Sequence, residues 1–234
     1  MQSLQPSFNA SVVLADMRWF RLLSKQQAEF VITRYDEPLD WVLGGPLENL
    51  ATIYNKGPES LTTTARCMNV PNHGLGLETN LRHIIENYDS LADTTMFCQG
   101  RMLDRKDQPL YPLRLYFDGA TPKDVRGLTT SYADPPNSRF LTRLPGPHCR
   151  AIGERTLAEF RDHVVGIPYE PSKQVFVRGD WIAAGRDAIR SRPLEYYKQL
   201  YEACKFERGV VVEECWYLER SLYLIFTGAA SQAS

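Results

Sequence analysis

An arginine, several acids and a tryptophan crowd into Thr33-Arg34-Tyr35-Asp36-Glu37-Pro38-Leu39-Asp40-Trp41, directly after the apolar run Phe30-Val31-Ile32. A guanidinium can clamp a diphosphate through paired hydrogen bonds, and an indole or phenol ring can stack on a base. A second polar cluster, Tyr54-Asn55-Lys56-Gly57, closes the next apolar run. There Lys56 has the reach and charge for phosphate, and Asn55 suits a ring hydroxyl. Each cluster also has a plain reading. Asp36 can cap a turn that Pro38 starts, and Asn-Lys-Gly is a common turn sequence.

Glu219 stands out among the carboxylates. On a helix it lies four residues after Cys215 and three before Leu222, which turns it inward or along the margin of an apolar face. A partly desolvated carboxylate with a raised pKa is a competent general base; the alternative is a structural ion pair with Arg220 or a distant arginine. Glu78 falls in the first turn of another helix, where the dipole favours an acid whatever its role. His83 lies off that helix's apolar stripe and reads as an exposed polar residue. His73, His148 and His163 lack zinc-ligand spacing, and no metal is expected. The chain carries no GxGxxG, Walker A or GxSxG motif, which argues against dinucleotide oxidoreductases, P-loop enzymes and serine hydrolases.

Residues of this kind need a scaffold. The 234 residues are 43% hydrophobic and 24% charged, the range of an ordinary globular chain, and are expected to form one domain. A formal net charge of −1 argues against nucleic acid as a partner, so an anionic ligand must be held by a local cluster. Five cysteines without CxxC spacing fit a reducing compartment. No run approaches the ~20 apolar residues that span a bilayer, and residues 1–9 do not resemble a signal peptide. The chain as written is therefore expected to be soluble and cytoplasmic, although an anchor outside it would be compatible. No residue pattern defines an oligomeric state.

The apolar pattern predicts a strand over Glu29–Thr33, a helical turn at Leu39–Leu43, a break at Gly44-Gly45-Pro46 and a strand over Leu50–Tyr54. Residues 11–23 fit either strand or helix. A long Thr/Pro/Asn/Gly loop, Pro58–Gly76, leads to an amphipathic helix over residues 77–91, with Leu77, Leu81, Ile84, Ile85, Tyr88 and Leu91 on one stripe. Its polar face carries Arg82, Glu86 and Asp89. Asp93–Gly100 reads as a third strand. This alternation predicts an α/β fold with a mostly parallel central sheet flanked by helices. Residues 101–171, rich in Pro and aromatics, read as irregular covering structure. A strand at Gln174–Val177, helices at about 185–190, from Pro193 onward and at about 213–226, and a fraying tail at 227–234 complete the pattern.

The ordered blocks Arg34-Tyr35-Asp36-Glu37 with Trp41, Ile53-Tyr54-Asn55-Lys56-Gly57, Gly76-Leu77-Glu78-Thr79 with His83-Ile84-Ile85, and Met96-Phe97-Cys98-Gln99-Gly100 resemble a family catalogued as a domain of unknown function in fungi and large DNA viruses. Arg178-Gly179-Asp180-Trp181, Arg192-Pro193-Leu194-Glu195-Tyr196-Tyr197 and Trp216-Tyr217-Leu218-Glu219-Arg220 resemble its closing blocks, so the likeness spans about residues 29–226. That family is similar to GT-A-type glycosyltransferases. The resemblance implies a Rossmann-like half at about 25–100 that binds a nucleotide sugar, and an acceptor and catalytic half at about 101–226. The chain departs from the commoner GT-A pattern by lacking Asp-x-Asp; Cys98-Gln99-Gly100 stands where it is expected.

The implied reaction is an inverting, metal-independent transfer of a sugar from a nucleotide sugar to a glycan hydroxyl. The expected donor is a UDP-sugar, UDP-xylose and other small sugars included. Glu219 is the first candidate base, followed by Asp180 and Glu78. Arg34, Tyr35, Glu37, Trp41, Tyr54, Asn55, Lys56 and Gln99 are donor-binding candidates. Arg220 and Arg178 are candidates for neutralising the diphosphate, and Trp181 and Trp216 for lining the acceptor pocket. Two other classes remain in play. A carbohydrate- or nucleotide-binding module would keep the aromatic and basic residues without turnover. A glycoside hydrolase would need two carboxyls roughly 5 to 10 Å apart across a sugar.

Overall fold

The computed structural model describes residues 27–101, 120–131, 155–170, 175–204 and 213–228, with backbone alone at 128–131, 175–176 and 178–180. The expectations for residues 11–23 and for the end of the tail lie outside these residues, as do the side chains of Arg178 and Asp180.

Strands β1 (Ala28–Arg34), β2 (Ala51–Asn55), β3 (Arg66–Asn69) and β4 (Thr94–Gln99) run parallel. Phe30, Val31 and Ile32 are fully buried, as an unbroken apolar run must be when both faces of its sheet are covered. Two further strands, β5 (Val125–Ser131) and β6 (Val175–Gly185), complete a six-stranded sheet of order β3-β2-β1-β4-β6-β5. Strand β6 runs antiparallel to both neighbours. The fold is thus mixed α/β with a mostly parallel sheet, as the alternation predicts.

The α-helices of the described residues are α1 (Leu75–Asn87), α2 (Leu157–Phe160, continued by a π turn over Arg161–Val165), α3 (Arg186–Arg190), α4 (Leu194–Ala203) and α5 (Glu213–Thr227). Leu77, Leu81 and Ile84 of α1, Tyr197 and Leu200 of α4, and Leu218, Leu222 and Phe226 of α5 share one core with Val31, Tyr54, Phe97 and Ile182 of the sheet. Phe226 stacks on Phe97 with ring centres 6.2 Å apart. On the opposite face, Leu39, Trp41, Val42 and Leu47 from the β1–β2 crossover cover Phe30, Ile32, Met96 and Trp181. The expected helical turn is present, with the Val42 and Leu43 amides donating to the Leu39 carbonyl.

The structure corrects four expectations. The stretch read as a loop over Pro58–Gly76 contains strand β3, which pairs with β2. His83 is not exposed but fully buried: its ring packs edge-on against Tyr54 and Phe97, and its Nδ1 lies 3.2 Å from the Tyr54 hydroxyl. The stretch read as irregular contains strand β5 and helix α2, whose Thr156 and Glu159 form a reciprocal capping box. Arg178-Gly179-Asp180-Trp181 does not follow a strand; it lies within the long strand β6.

Candidate functional site

Strands β2 and β3 lie to one side of β1 and β4 to the other, so the order β3-β2-β1-β4 reverses direction at β1. In open α/β sheets the crevice at the carboxyl ends beside such a reversal is the ligand-binding position, because the loops diverge there. Arg34 and Asn55 end β1 and β2, and Gln99 ends β4. The edge is therefore the candidate site, and it brings together Arg34, Tyr35, Glu37, Asn55, Lys56 and Gln99.

These side chains are built into each other. Arg34 is buried; its Nη1 donates to Asn55 Oδ1 at 2.8 Å and its Nε to the Glu37 carbonyl at 3.0 Å. Asn55 Nδ2 in turn donates to Asn69 Oδ1 at 2.9 Å and to the Glu59 carbonyl at 2.8 Å. Glu37 Oε2 accepts from the Tyr35 amide at 2.6 Å. Between β1 and β4 the Gly100 amide donates to the Thr33 carbonyl, and Trp41 Nε1 donates to the Gly100 carbonyl at 3.0 Å. A Cβ at Gly57 would lie 1.6 Å from the Tyr35 carbonyl oxygen, so only glycine fits where the ends of β1 and β2 meet.

Lys56 points inward. Its buried ammonium donates to the His73 and Leu75 carbonyls and to Glu78 Oε2 at 2.8 Å. Glu78 is buried as well, and its other oxygen accepts from Arg82 Nε and the Tyr201 hydroxyl, both at 2.7 Å. Burial pushes the Glu78 carboxyl up, but the Lys56 charge and the donors from Lys56, Tyr201 and Arg82 outweigh it and hold the acid below the usual range. A carboxylate so neutralised is a structural anchor and a poor proton acceptor.

Helix α5 shares a core with α1, Cys215 being buried in one cluster with Leu77 and Leu81. Glu219 follows one turn later, about 6 Å further along the axis. Its side chain is 12% exposed, and its Oε1 lies 3.6 Å from Arg220 Nη1. Trp216, also on α5, is half-buried, and its Nε1 is buried without a hydrogen-bond acceptor. Trp181, Tyr54 and Trp41 are core residues at 2%, 0% and 7% exposure.

Asp180 gains a different context. Gly127 pairs with Ile182 and Thr129 with Val177, so between these pairs β6 has four residues where β5 has one. The surplus forms a bulge over 178–181, and such bulges re-aim side chains and gather beside active sites. Two cavities lined by described residues lie away from this edge. One of about 290 Å³ lies between α1 and α4, lined by Arg82, Ile85, Glu86, Lys198, Tyr201 and Glu202. A polar one of about 420 Å³, with Glu29, Glu48, Thr52 and Arg66, sits at the amino ends of β1–β3.

The sequence reading missed Asn69, Tyr201 and His83. Asn69 and Tyr201 meet their partners only through the folded chain, and His83 is covered by rings from other elements. Among the described residues no group of three or more His, Cys, Asp and Glu side chains is arranged to hold a metal ion. No family model, curated protein or solved structure matches the chain.

Proposed function

We propose that the chain is a glycosyltransferase that moves a sugar from a nucleotide sugar, a UDP-sugar by default, to a glycan hydroxyl by a single inverting displacement. One observation carries this reading: Arg34, Asn55 and Gln99 end parallel strands beside the reversal of a sheet ordered β3-β2-β1-β4, next to the β6 bulge that contains Asp180. The acceptor hydroxyl attacks the anomeric carbon, a carboxylate takes its proton, and the nucleoside diphosphate leaves. Glu219 remains the first candidate for the base and Asp180 the second. Glu78 loses ground because Lys56, Arg82 and Tyr201 already neutralise it. Arg34, Arg220 and Arg178 are the cations assigned to the diphosphate. The unaccepted Trp216 Nε1 suits a ligand oxygen at the acceptor side.

A binding module without turnover is the second reading. It draws support from Glu78, a candidate base whose charge Lys56, Arg82 and Tyr201 already neutralise. A panel of nucleotide sugars, with thermal shift and turnover measured in EDTA and in Mn²⁺, separates the two. The transferase reading expects one donor to stabilise the parent and Glu219→Gln alike, and to turn over only in the parent and regardless of EDTA. Binding without turnover selects the module, and full turnover by Glu219→Gln moves the base to Asp180, to be checked with Asp180→Asn. Release of a free sugar from a glycoside without any donor selects a hydrolase.

A further inference from the structure

A lysine ammonium has three protons to donate, and Lys56 directs them to the His73 carbonyl, the Leu75 carbonyl and Glu78 Oε2. Both carbonyls belong to an unusual stretch of backbone. Gly74 and Leu75 take consecutive left-handed conformations, with φ of 58° and 55°. Glycine adopts this region readily, whereas a leucine there persists only when its surroundings over-determine it. The strained residue is also one of the two exposed large hydrophobic residues among those described, at 42% exposure; the other, Tyr35, follows β1 at the same edge.

We propose that Lys56 is a positioning residue: it holds the left-handed Gly74–Leu75 turn, and with it the exposed Leu75 side chain, in the shape that meets the donor, and it does not itself bind phosphate. Glu78 orients the ammonium and is fixed in turn by Arg82 and Tyr201. The clamp thus ties the end of β2 to the start of α1 through the turn between them.

The test compares Lys56→Met, Leu75→Gly, their double variant and a Glu48→Gln control. Glu48→Gln weakens the tie of Glu48 to Thr63 and Thr64 without touching the turn or its clamp. Lys56→Met should speed amide hydrogen exchange across residues 72–79 at least tenfold and lower Tm. Leu75→Gly, which removes the strain, should leave Tm unchanged or higher, and the double variant should lose less than the sum of the single changes. Unchanged exchange in Lys56→Met, additive Tm changes, or a Tm lowered by Leu75→Gly would each overturn the proposal; the last stands as a test even if Lys56→Met does not fold. The ligand arm rests on the nucleotide-sugar reading above. A donor that stabilises the parent should bind Lys56→Met at least tenfold more weakly and Glu48→Gln with parental affinity. Equal weakening in both variants, or none in Lys56→Met, overturns the positioning role. Failure of every donor to bind the parent overturns the transferase reading instead, and the exchange and Tm arms still judge the lysine.

Discussion

Glu78 shows how much one buried side chain carries here. Three donors from three elements converge on a carboxylate that is 1% exposed. Deleting one partner of a buried pair leaves the other charge uncompensated, so Glu78→Gln should cost about 3 kcal/mol in urea unfolding at neutral pH. The sign of its pH dependence follows from a folded pKa below the unfolded one. Its stabilisation is complete above the ordinary glutamate range and is lost as pH falls through that range toward the lower folded value. Tm measured from pH 7 down to pH 3 should therefore fall more steeply in the parent than in Glu78→Gln. Parallel curves would mean that this carboxylate does not govern acid sensitivity. The half-buried Glu48 is also held low, at about 2, first by the Thr63 hydroxyl and then by the Gly44 and Thr64 amides. It ties the β1–β2 crossover to the loop before β3 and lies away from the candidate site.

The elements of the carboxyl edge are joined by close approach as well as by hydrogen bonds. Gly57→Ala would push a methyl group into the Tyr35 carbonyl, and the ends of β1 and β2 would have to separate. A destabilisation of about 3 kcal/mol is expected in urea unfolding, with Gly44→Ala as a comparison, where a methyl meets nothing but the backbone is left-handed. Helices α1 and α5 owe their place to apolar stripes on the sheet. Truncating the fully buried Leu81 or Leu218 to Ala should each cost about 2 to 5 kcal/mol. Losses below about 1 kcal/mol would mean that the cavity collapses or that the helix is not seated as described. Leu77, Leu81 and Ile84 were legible as one stripe because apolar residues at helical spacing must find a common cover. His83 was not, since that spacing counts only apolar residues and the rings that bury it come from β2 and β4. Strand β6 was legible only in its first residues, because the polar Arg178-Gly179-Asp180 interrupts the alternation where the bulge lies.

Across the whole molecule, the sheet sets its candidate ligand edge opposite its polar cavity. The carboxyl ends of β1, β2 and β4 carry the donor candidates, while the 420 Å³ cavity lies at the amino ends of β1–β3. Among the described residues no helix is long and apolar enough to cross a membrane. A donor bound to the folded state alone should stabilise it by mass action, about 2.7 kcal/mol at a hundredfold excess over Kd. Hydrogen exchange with and without that donor should show protection at residues 34–37, 55–57 and 99–100, and little change around Glu29, Thr52 and Arg66. Protection at the amino ends alone would move the site to the opposite edge.

The sequence by itself determined the alternation of strands and helices, the double-sided burial of β1, the helical stripes and the gathering of Arg34, Asn55, Lys56 and Gln99 at strand ends. These follow from local periodicity, which a chain carries wherever it folds. Tertiary structure decided what those polar groups do. Arg34 spends its guanidinium on Asn55 and the Glu37 carbonyl, and Lys56 turns inward to hold the start of α1. Glu78 finds Tyr201 across a separation of 123 residues. A buried polar group must be satisfied by whatever the fold brings within about 3 Å, and no local pattern encodes that neighbour.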